Sequence, residues 1–484
     1  MKALSILGTS SSAGKSWMTT AVCAWLRSQG VRVAPFKAQN MSNNGAALFS
    51  GGEIARAQVV QAEACGLLPV PEMNPILLKP SGGIGSQLVL NGEARGHYRA
   101  LDYYRDFDRL WENVTGVLDG WKSKCDVLVM EGAGSPVELN LMDRDLVNLR
   151  PIRYLDGRWL LVGDIDRGGV YAQLAGTWNL MPEEDRARGL GAIVNKFRGD
   201  IRLFPDPEMW LAPHAPGLRV LGTVPTRFDL QPEEEDGLTD ADADRGQGET
   251  LAWVRYPSAA NLVDCQPWWD DTGVRLRWTA DPAVLAEARA IVLPGTKNTI
   301  GDMRWLRETG LDRVICEAAR RGTTVIGVCG SYQMLGEWLR DPTGVAGDAG
   351  EERGLGLLPL ETVFRAPKIV CQTVVEHAGK RWTGYELHMG RTTQLAPCEP
   401  LNIVWVDGVA KPEGVRRGNV MATYLHGWFD LPELRAWVAT QAGFREHRAH
   451  RVPWPEKRQA IYRQMGEHIA QHLNLDPVRR YLQL

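Results

Sequence analysis

Thr323-Thr324-Val325-Ile326-Gly327-Val328-Cys329-Gly330-Ser331-Tyr332-Gln333 decides how the second half of this chain folds. The β-branched run leaves Arg321-Gly322 and breaks at a thiol followed by glycine. That pattern predicts a strand entering a sharp turn, with a helix beyond it over Met334–Leu339. A nucleophile at such a bend is pushed off the sheet, and the helix N-terminus stabilises its thiolate. The thiolate also needs a base and oxyanion donors. His426, in Tyr424-Leu425-His426-Gly427 after the strand Val420–Thr423, suits the base. The amides of Gly330 and of Gly295, within Pro294–Thr299, suit the oxyanion donors.

The other end of the chain carries a second signal. Leu4-Ser5-Ile6-Leu7 reads as a buried strand, and Gly8-Thr9-Ser10-Ser11-Ser12-Ala13-Gly14-Lys15-Ser16 follows it and opens a helix. Small residues, Thr9, Ser12 and Gly14 among them, let the amides close on phosphate. Lys15 supplies charge to the β and γ oxygens, and the Ser16 hydroxyl suits Mg²⁺. Thr9 stands where the strict phosphate-loop pattern has glycine at that offset, so this is a variant loop. Val127–Met130 ends in Glu131 and then glycines, the place for a carboxylate that organises magnesium. Asp164 and Asp166, in Gly163-Asp164-Ile165-Asp166-Arg167-Gly168-Gly169, repeat that layout one strand later. Lys37 after Val33–Phe36 is placed to hold a phosphoryl group in transit. Asn195 after Ala192–Val194 is expected to read an adenine edge, with Pro225 lining the same site.

Strands alternate with helices from the first residue: Arg32–Phe36, Val127–Met130, Trp159–Val162, Ala192–Val194 and Val220–Val224, with helices over Ser16–Arg27 and Ile54–Cys65. Alternation implies an α/β chain with a parallel, doubly wound sheet and ligands at the strand C-termini. Residues 1–230 are read as an ATP-dependent synthetase domain and 231–250, acidic and poor in apolar residues, as a linker. Residues 251–445 form a second α/β domain, with strands at Leu251–Arg255, Arg275–Trp278, Ala290–Leu293, Thr324–Val328, Ile403–Val406 and Val420–Leu425. Residues 446–484 are a helical tail.

Composition narrows the function. At 484 residues the chain exceeds one ordinary core. A net charge of −3 gives no reason to expect nucleic acid or an anionic membrane as partner. No apolar stretch approaches the roughly 18 residues of a membrane span. Eight cysteines without a Cys-x-x-Cys pair argue against disulfides or structural zinc and fit a reducing cytoplasm. A thiol that can release ammonia and a loop that can hold ATP together imply glutamine-dependent, ATP-driven amide synthesis.

Pro35-Phe36-Lys37-Ala38-Gln39-Asn40-Met41-Ser42-Asn43-Asn44, Glu131-Gly132-Ala133-Gly134-Ser135-Pro136 and Asp164–Gly169, together with the phosphate loop, resemble the cobyric acid synthase family. Those enzymes are glutamine-dependent amide ligases of adenosylcobalamin biosynthesis. The N-terminal half is also similar to dethiobiotin synthetase and the C-terminal half to class I glutamine amidotransferases. The resemblance implies amidation of a corrinoid, adenosylcobyrinic acid a,c-diamide, at its b, d, e and g carboxylates through acyl phosphates. It needs ATP, Mg²⁺ and glutamine and no bound prosthetic group. It implies that Asn40, Asn43, Asn44, Glu138, Asp145 and Asp166 serve the substrate and acyl phosphate, and that Gln333 and His388 serve the glutamine site. Two features depart from the class I pattern. Ser331 stands where glycine is usual, which would strain a left-handed backbone. Trp428 stands where the acid partner of the histidine is usual, so no third member of the Cys329–His426 pair is assigned. The alternatives are cobyrinic acid a,c-diamide synthase and, in another class, a partition-type P-loop ATPase switch with an inactive amidotransferase appendage.

Overall fold

The computed structural model describes residues 1–81, 85–99, 103, 105–232, 244–346, 349–406 and 408–484. The chain divides into two compact units. The first comprises Met1–Ser42, Ile54–Glu233 and Arg458–Leu484, and the second Asn43–Glu53 and Glu234–Lys457.

The first unit is built on six parallel strands: β1 (Lys2–Gly8), β2 (Val33–Phe36), β3 (Val127–Glu131), β4 (Arg158–Asp164), β5 (Gly189–Phe197) and β6 (Val220–Pro225), in spatial order β6-β5-β4-β1-β3-β2. Residues Ala3–Gly8 and all of β3 are buried on both faces. That explains their continuous apolar runs, because helices cover both sides of a parallel sheet. The sequence leaves β1 through the phosphate loop into helix α1 (Lys15–Ser28) and reaches β2 beyond β3. The strand order therefore reverses beside β1, where such sheets bind ligands. Helix α2 (Arg56–Cys65) packs with α1, and its end at Gly66 adopts the left-handed conformation.

The C-terminal segment completes this unit. A helix over Trp454–His472 packs its later turns on α1, with Gly466 tight against the Trp25 backbone. Tyr462 donates to Glu63 at 2.9 Å, and Tyr481 donates its hydroxyl to the Ala3 carbonyl at 3.0 Å. The tail predicted from the sequence is thus helical, but from Arg458 on it belongs to the first unit.

The second unit carries a mixed sheet. Parallel strands β7 (Gly248–Val254), β8 (Gly273–Thr279), β9 (Ala290–Leu293), β10 (Thr324–Val328) and β15 (Val420–Thr423) run in the order β8-β7-β9-β10-β15. The sheet continues through antiparallel β14 (Val409–Arg417), β13 (Glu399–Val406) and β11 (Leu360–His377), and β11 pairs with β12 (Lys380–Gln394). Separate apolar clusters cover the two faces, one around Ile291, Val325 and Ala422, the other around Trp253, Ile326 and Met421.

Three expectations change here. The 231–250 linker lies outside the described residues from 233 to 243, and beyond them it is strand at Asp244–Gly246 and from Gly248. The helix after the thiol is α3 (Gly330–Met334), not Met334–Leu339. Gly336 approaches the Leu360 carbonyl so closely that a Cβ would lie 2.8 Å from it, and Trp338–Asp341 then pairs with β11 as a strand. The β11–β12 hairpin was not anticipated.

Candidate active sites

In the first unit the site forms where β1, β3 and β4 end. Gly14 has φ +94, and a Cβ there would sit 2.2 Å from Asn195 Nδ2, so the loop turns left-handed under the Asn195 amide. Ser12 also has φ 57. Lys196 donates to the Ser12 carbonyl at 2.6 Å and pairs with Asp164 at 3.2 Å. Thr9 donates its hydroxyl to Gln173 at 2.9 Å. Lys15 Nζ folds back onto the carbonyls of Ser10 at 2.8 Å and Gly134 at 3.0 Å.

Glu131 is the node of this site. It is 1% exposed; its Oε1 accepts from Ser16 Oγ at 2.7 Å and from Lys37 Nζ at 2.9 Å. Its Oε2 accepts from Gln61 Nε2 at 2.5 Å. Burial pushes the carboxyl up, but the Lys37 ammonium and the hydrogen bonds from Ser16, Lys37 and Gln61 outweigh it and hold it below the usual value. The Glu131 carboxylate and Ser16 hydroxyl are hard oxygen donors of the kind Mg²⁺ takes beside phosphate oxygens and water.

Several predicted residues already hold hydrogen bonds within the chain. Asn195 donates to the Ala13 carbonyl at 3.1 Å, which pins the phosphate loop and uses one N–H of its amide. The Pro225 carbonyl accepts from His468 at 2.9 Å. Asp145 accepts the backbone N–H groups of Val147, Asn148, Leu149 and Arg150, so both its oxygens cap a turn. Asp166 pairs with Arg198 at 3.1 Å, and Asn40 donates to Gln58 at 2.8 Å. Glu138 is exposed beside Gly134. Asn43 and Asn44 fall in the second unit. Gln61 and Asn148, which clasps both backbone groups of Ala133, were missed; each is a lone amide with no motif around it.

In the second unit, Val328 of β10 pairs with Thr423 of β15, so Cys329 and His426 leave neighbouring parallel strands on the same side. The Cys329 amide donates to the Thr423 carbonyl at 2.8 Å, and its Sγ lies 3.6 Å from the Leu387 carbonyl. The left-handed backbone falls on Cys329 itself, with φ 54 and ψ −109, while Ser331 is helical. The strain expected at Ser331 is therefore absent. Its hydroxyl hydrogen-bonds to the Pro294 carbonyl and meets Tyr256 OH at 2.8 Å, tying the elbow to the loop before Gly295.

His426 is buried, and Cys329 interacts with its ring. Its Nδ1 lies 2.7 Å from Asp264 Oδ2, and Asp264 Oδ1 accepts the Gly427 N–H at 3.0 Å. Burial pushes the imidazole down, but the Asp264 carboxylate, and after it Cys329, raise it to about 10. Asp264 is the acid that the sequence left unassigned. It sits in a 3₁₀ segment, Leu262–Asp270, far from the histidine in sequence. Gly295 leaves a side chain little room, since a Cβ would lie 3.0 Å from the Ala260 carbonyl oxygen and 3.1 Å from His426 Cε1. Gly330 opens α3, where a first-turn N–H has no intrahelical acceptor.

Supporting groups surround the pair. Gln333 accepts from Thr299 at 3.2 Å, and His388 stacks on Tyr424 at 3.6 Å while contacting Glu386 at 3.1 Å and the Gly390 carbonyl at 2.8 Å. Asp302, raised to about 6 by burial, accepts from Thr296 Oγ1 and at 3.2 Å from the Ser258 amide. Glu413 is fully buried beneath the Thr423–Tyr424 backbone and rises to about 7 through burial and the nearby Glu386. Such an array can deprotonate a thiol, hold a thiolate–imidazolium pair and attack an amide carbon. Among the described residues no cluster of three or more His, Cys, Asp or Glu side chains could hold a metal ion, and no helix is long and apolar enough to cross a membrane.

Comparison with known proteins places each half of the chain in a family. Residues 4–239 match the CobQ/CobB/MinD/ParA nucleotide binding domain, and residues 250–433 match the CobB/CobQ-like glutamine amidotransferase domain. Proteins named cobyric acid synthase are similar along most of the chain. That of Roseiflexus castenholzii is 46% identical over 439 residues, 88% of each chain. That of Variovorax paradoxus is 47% identical over 447 residues, 88% of this chain and 90% of the relative. That of Chlorobium chlorochromatii is 40% identical over 492 residues, 98% of this chain and 96% of the relative.

Proposed function

This chain belongs to the cobyric acid synthase family and is a glutamine-dependent amidating ligase, and from that premise we propose the steps it carries out. The substrate is adenosylcobyrinic acid a,c-diamide, and the b, d, e and g carboxylates become amides. ATP phosphorylates a carboxylate in the first unit. Lys15 and Lys37 neutralise charge on the moving phosphoryl group. Ser16 and Glu131 would hold Mg²⁺, which supplies further charge neutralisation at the β and γ phosphates. Thr9, Ser12 and Gly14 shape the phosphate loop, and Glu138 faces the acceptor.

In the second unit the Cys329 thiolate attacks the carboxamide carbon of glutamine. The Gly295 and Gly330 amides receive the developing oxyanion. His426 passes its proton to the departing nitrogen, and ammonia leaves as the Cys329 thioester forms. Water, deprotonated by His426, then releases glutamate and regenerates the thiol. Ammonia attacks the acyl phosphate, expelling phosphate and giving the amide.

The observation that supports this reading most is that one chain carries both the Cys329–His426–Asp264 line and a phosphate loop whose Ser16 meets a buried Glu131. The test is to supply adenosylcobyrinic acid a,c-diamide and ATP with glutamine or with ammonium, and to count amides on the corrinoid. Four added amides with either nitrogen source are expected. No amide with either source would remove the substrate assignment.

A further inference from the structure

Residues Asn43–Glu53 lie between the phosphate loop and β3 in sequence, yet they belong to the amidotransferase unit. Their contacts there fall on two sides of the thiol site. Asn44 is buried, and its Oδ1 accepts the backbone N–H of Asn261 at 3.1 Å. Lys297 Nζ donates to Asn43 Oδ1 at 2.8 Å. Asn261 and Lys297 lie in two loops that run side by side: Ala260 N–H donates to the Gly295 carbonyl at 2.8 Å and Lys297 N–H to the Ser258 carbonyl at 3.1 Å. Gly295 faces His426, and Asn261, at φ 54, begins the turn that presents Asp264.

On the other side, Ala47 packs with Tyr385 and Leu387 of β12. The Ala47 carbonyl accepts from Gln372 at 2.7 Å, and the buried Glu53 pairs with Lys368 at 2.8 Å. Tyr385 exchanges backbone hydrogen bonds with His426 at 3.2 and 2.9 Å, and the Leu387 carbonyl faces the Cys329 sulfur. Residues 43–53 therefore brace both the loops before the thiol and the strand behind it.

We propose that Asn43 and Asn44 are positioning residues of the glutamine-hydrolysing centre, holding the 258–261 and 294–298 loops so that Asp264 and the Gly295 amide stay in register with His426 and Cys329. The inference rests on the glutaminase reading of that centre. Its physical basis is direct. Without the Asn44 acceptor the buried Asn261 N–H loses its partner. A left-handed non-glycine residue then has less to hold it, and Asp264 lies three residues further on. In this proposal Asn43 and Asn44 serve the glutamine-hydrolysing centre, where the family resemblance implied the acyl phosphate.

The test uses full-length protein carrying Asn44→Leu or Asn44→Asp. Three quantities are read: kcat and KM for glutamate release, amidation driven by ammonium, and the thermal midpoint. Asn44→Leu should lower kcat for glutamate release about tenfold or more, the scale of one buried hydrogen bond lost at a positioned group, with a smaller change in KM. Asn44→Asp keeps an acceptor oxygen and should recover to within about threefold. Ammonium-driven amidation should stay near the wild-type rate in both. Three results would each overturn the inference: an Asn44→Leu enzyme that hydrolyses glutamine normally, a parallel fall in ammonium-driven amidation, or an Asp variant as poor as Leu with an unchanged midpoint. A wild-type enzyme that hydrolyses glutamine but amidates no corrinoid would sink the proposed substrate and leave this inference standing.

Discussion

His426 Nδ1 and Asp264 Oδ2 lie 2.7 Å apart, and both side chains are buried. The contact fixes the ring so that its other nitrogen serves Cys329, and it favours the protonated imidazole. Replacing a triad carboxylate by its amide costs about 10⁴ in kcat in the best-known case. Asp264→Asn should accordingly reduce glutamate release by 10²–10⁴-fold, roughly that scale, while ammonium-driven amidation continues. The histidine titration should also move. With Asp264 present His426 sits at about 10, so no histidine limb is expected between pH 6 and 8. With Asn at 264 burial dominates and a limb should enter that window from above. A pH–rate profile unchanged by Asp264→Asn would contradict this role.

Cys329→Ala removes the thiol placed to form the thioester. Glutamine-driven amidation should fall by more than about a thousandfold, and ammonium should restore it. Loss with both nitrogen sources would mean that Cys329 also serves the acyl phosphate.

Glu131→Gln tests the other unit. The carboxylate accepts from Ser16, Lys37 and Gln61, and an amide cannot accept at both positions or balance the buried Lys37 ammonium. ATP turnover should drop at least a hundredfold, about 2.7 kcal/mol in the barrier, whichever nitrogen donor is used. A defect confined to the glutamine-driven reaction would show that Glu131 is not at the phosphoryl site.

Glu413 gives a pH signature in stability. Its carboxyl rises from 4.5 to about 7 in the folded chain, so the folded state holds a proton that the unfolded state releases. The folded state is then penalised as pH rises from 4.5 to 7, by up to about 3 kcal/mol. Between pH 5 and 8 the urea midpoint of the second unit, followed by tryptophan fluorescence, should fall. Glu413→Gln should make that slope shallower, leaving the parts that Asp302 and His426 contribute through their own raised values. A wild-type midpoint that climbs across this window, or a variant with an unchanged slope, would assign the effect elsewhere.

What the sequence made legible follows from where the chemistry sits. The phosphate loop, Glu131, Cys329 and His426 all stand at the ends of short apolar strands with glycine nearby, so local pattern alone places them at sheet edges. Asp264 does not. It reaches His426 across 162 residues, from a 3₁₀ turn without periodicity, and only tertiary pairing joins them. Asn195 was read by its place at a strand end, and no local pattern shows that its amide also holds the Ala13 carbonyl. Asp145 sat in an acidic loop that looked like a ligand source, and four backbone amides claim it. The β11–β12 hairpin escaped because β11 mixes buried and half-buried positions without clean alternation. The helix drawn over Met334–Leu339 failed at Gly336, where a close backbone contact turns the chain into a strand.

The return of Arg458–Leu484 to the first unit bears on how the protein is made. Helix α1 receives part of its cover from residues synthesised after the whole second unit, and the Ala3 carbonyl waits for Tyr481. At about 5–20 residues per second, ribosomes need roughly 10–45 s to pass from residue 233 to residue 458. Through that interval the nascent nucleotide-binding unit stands with one flank bare, so its maturation waits for Arg458–Leu484. Full protease protection of Lys15–Ser28 on stalled ribosomes should appear only once Arg458–Leu484 has cleared the exit tunnel.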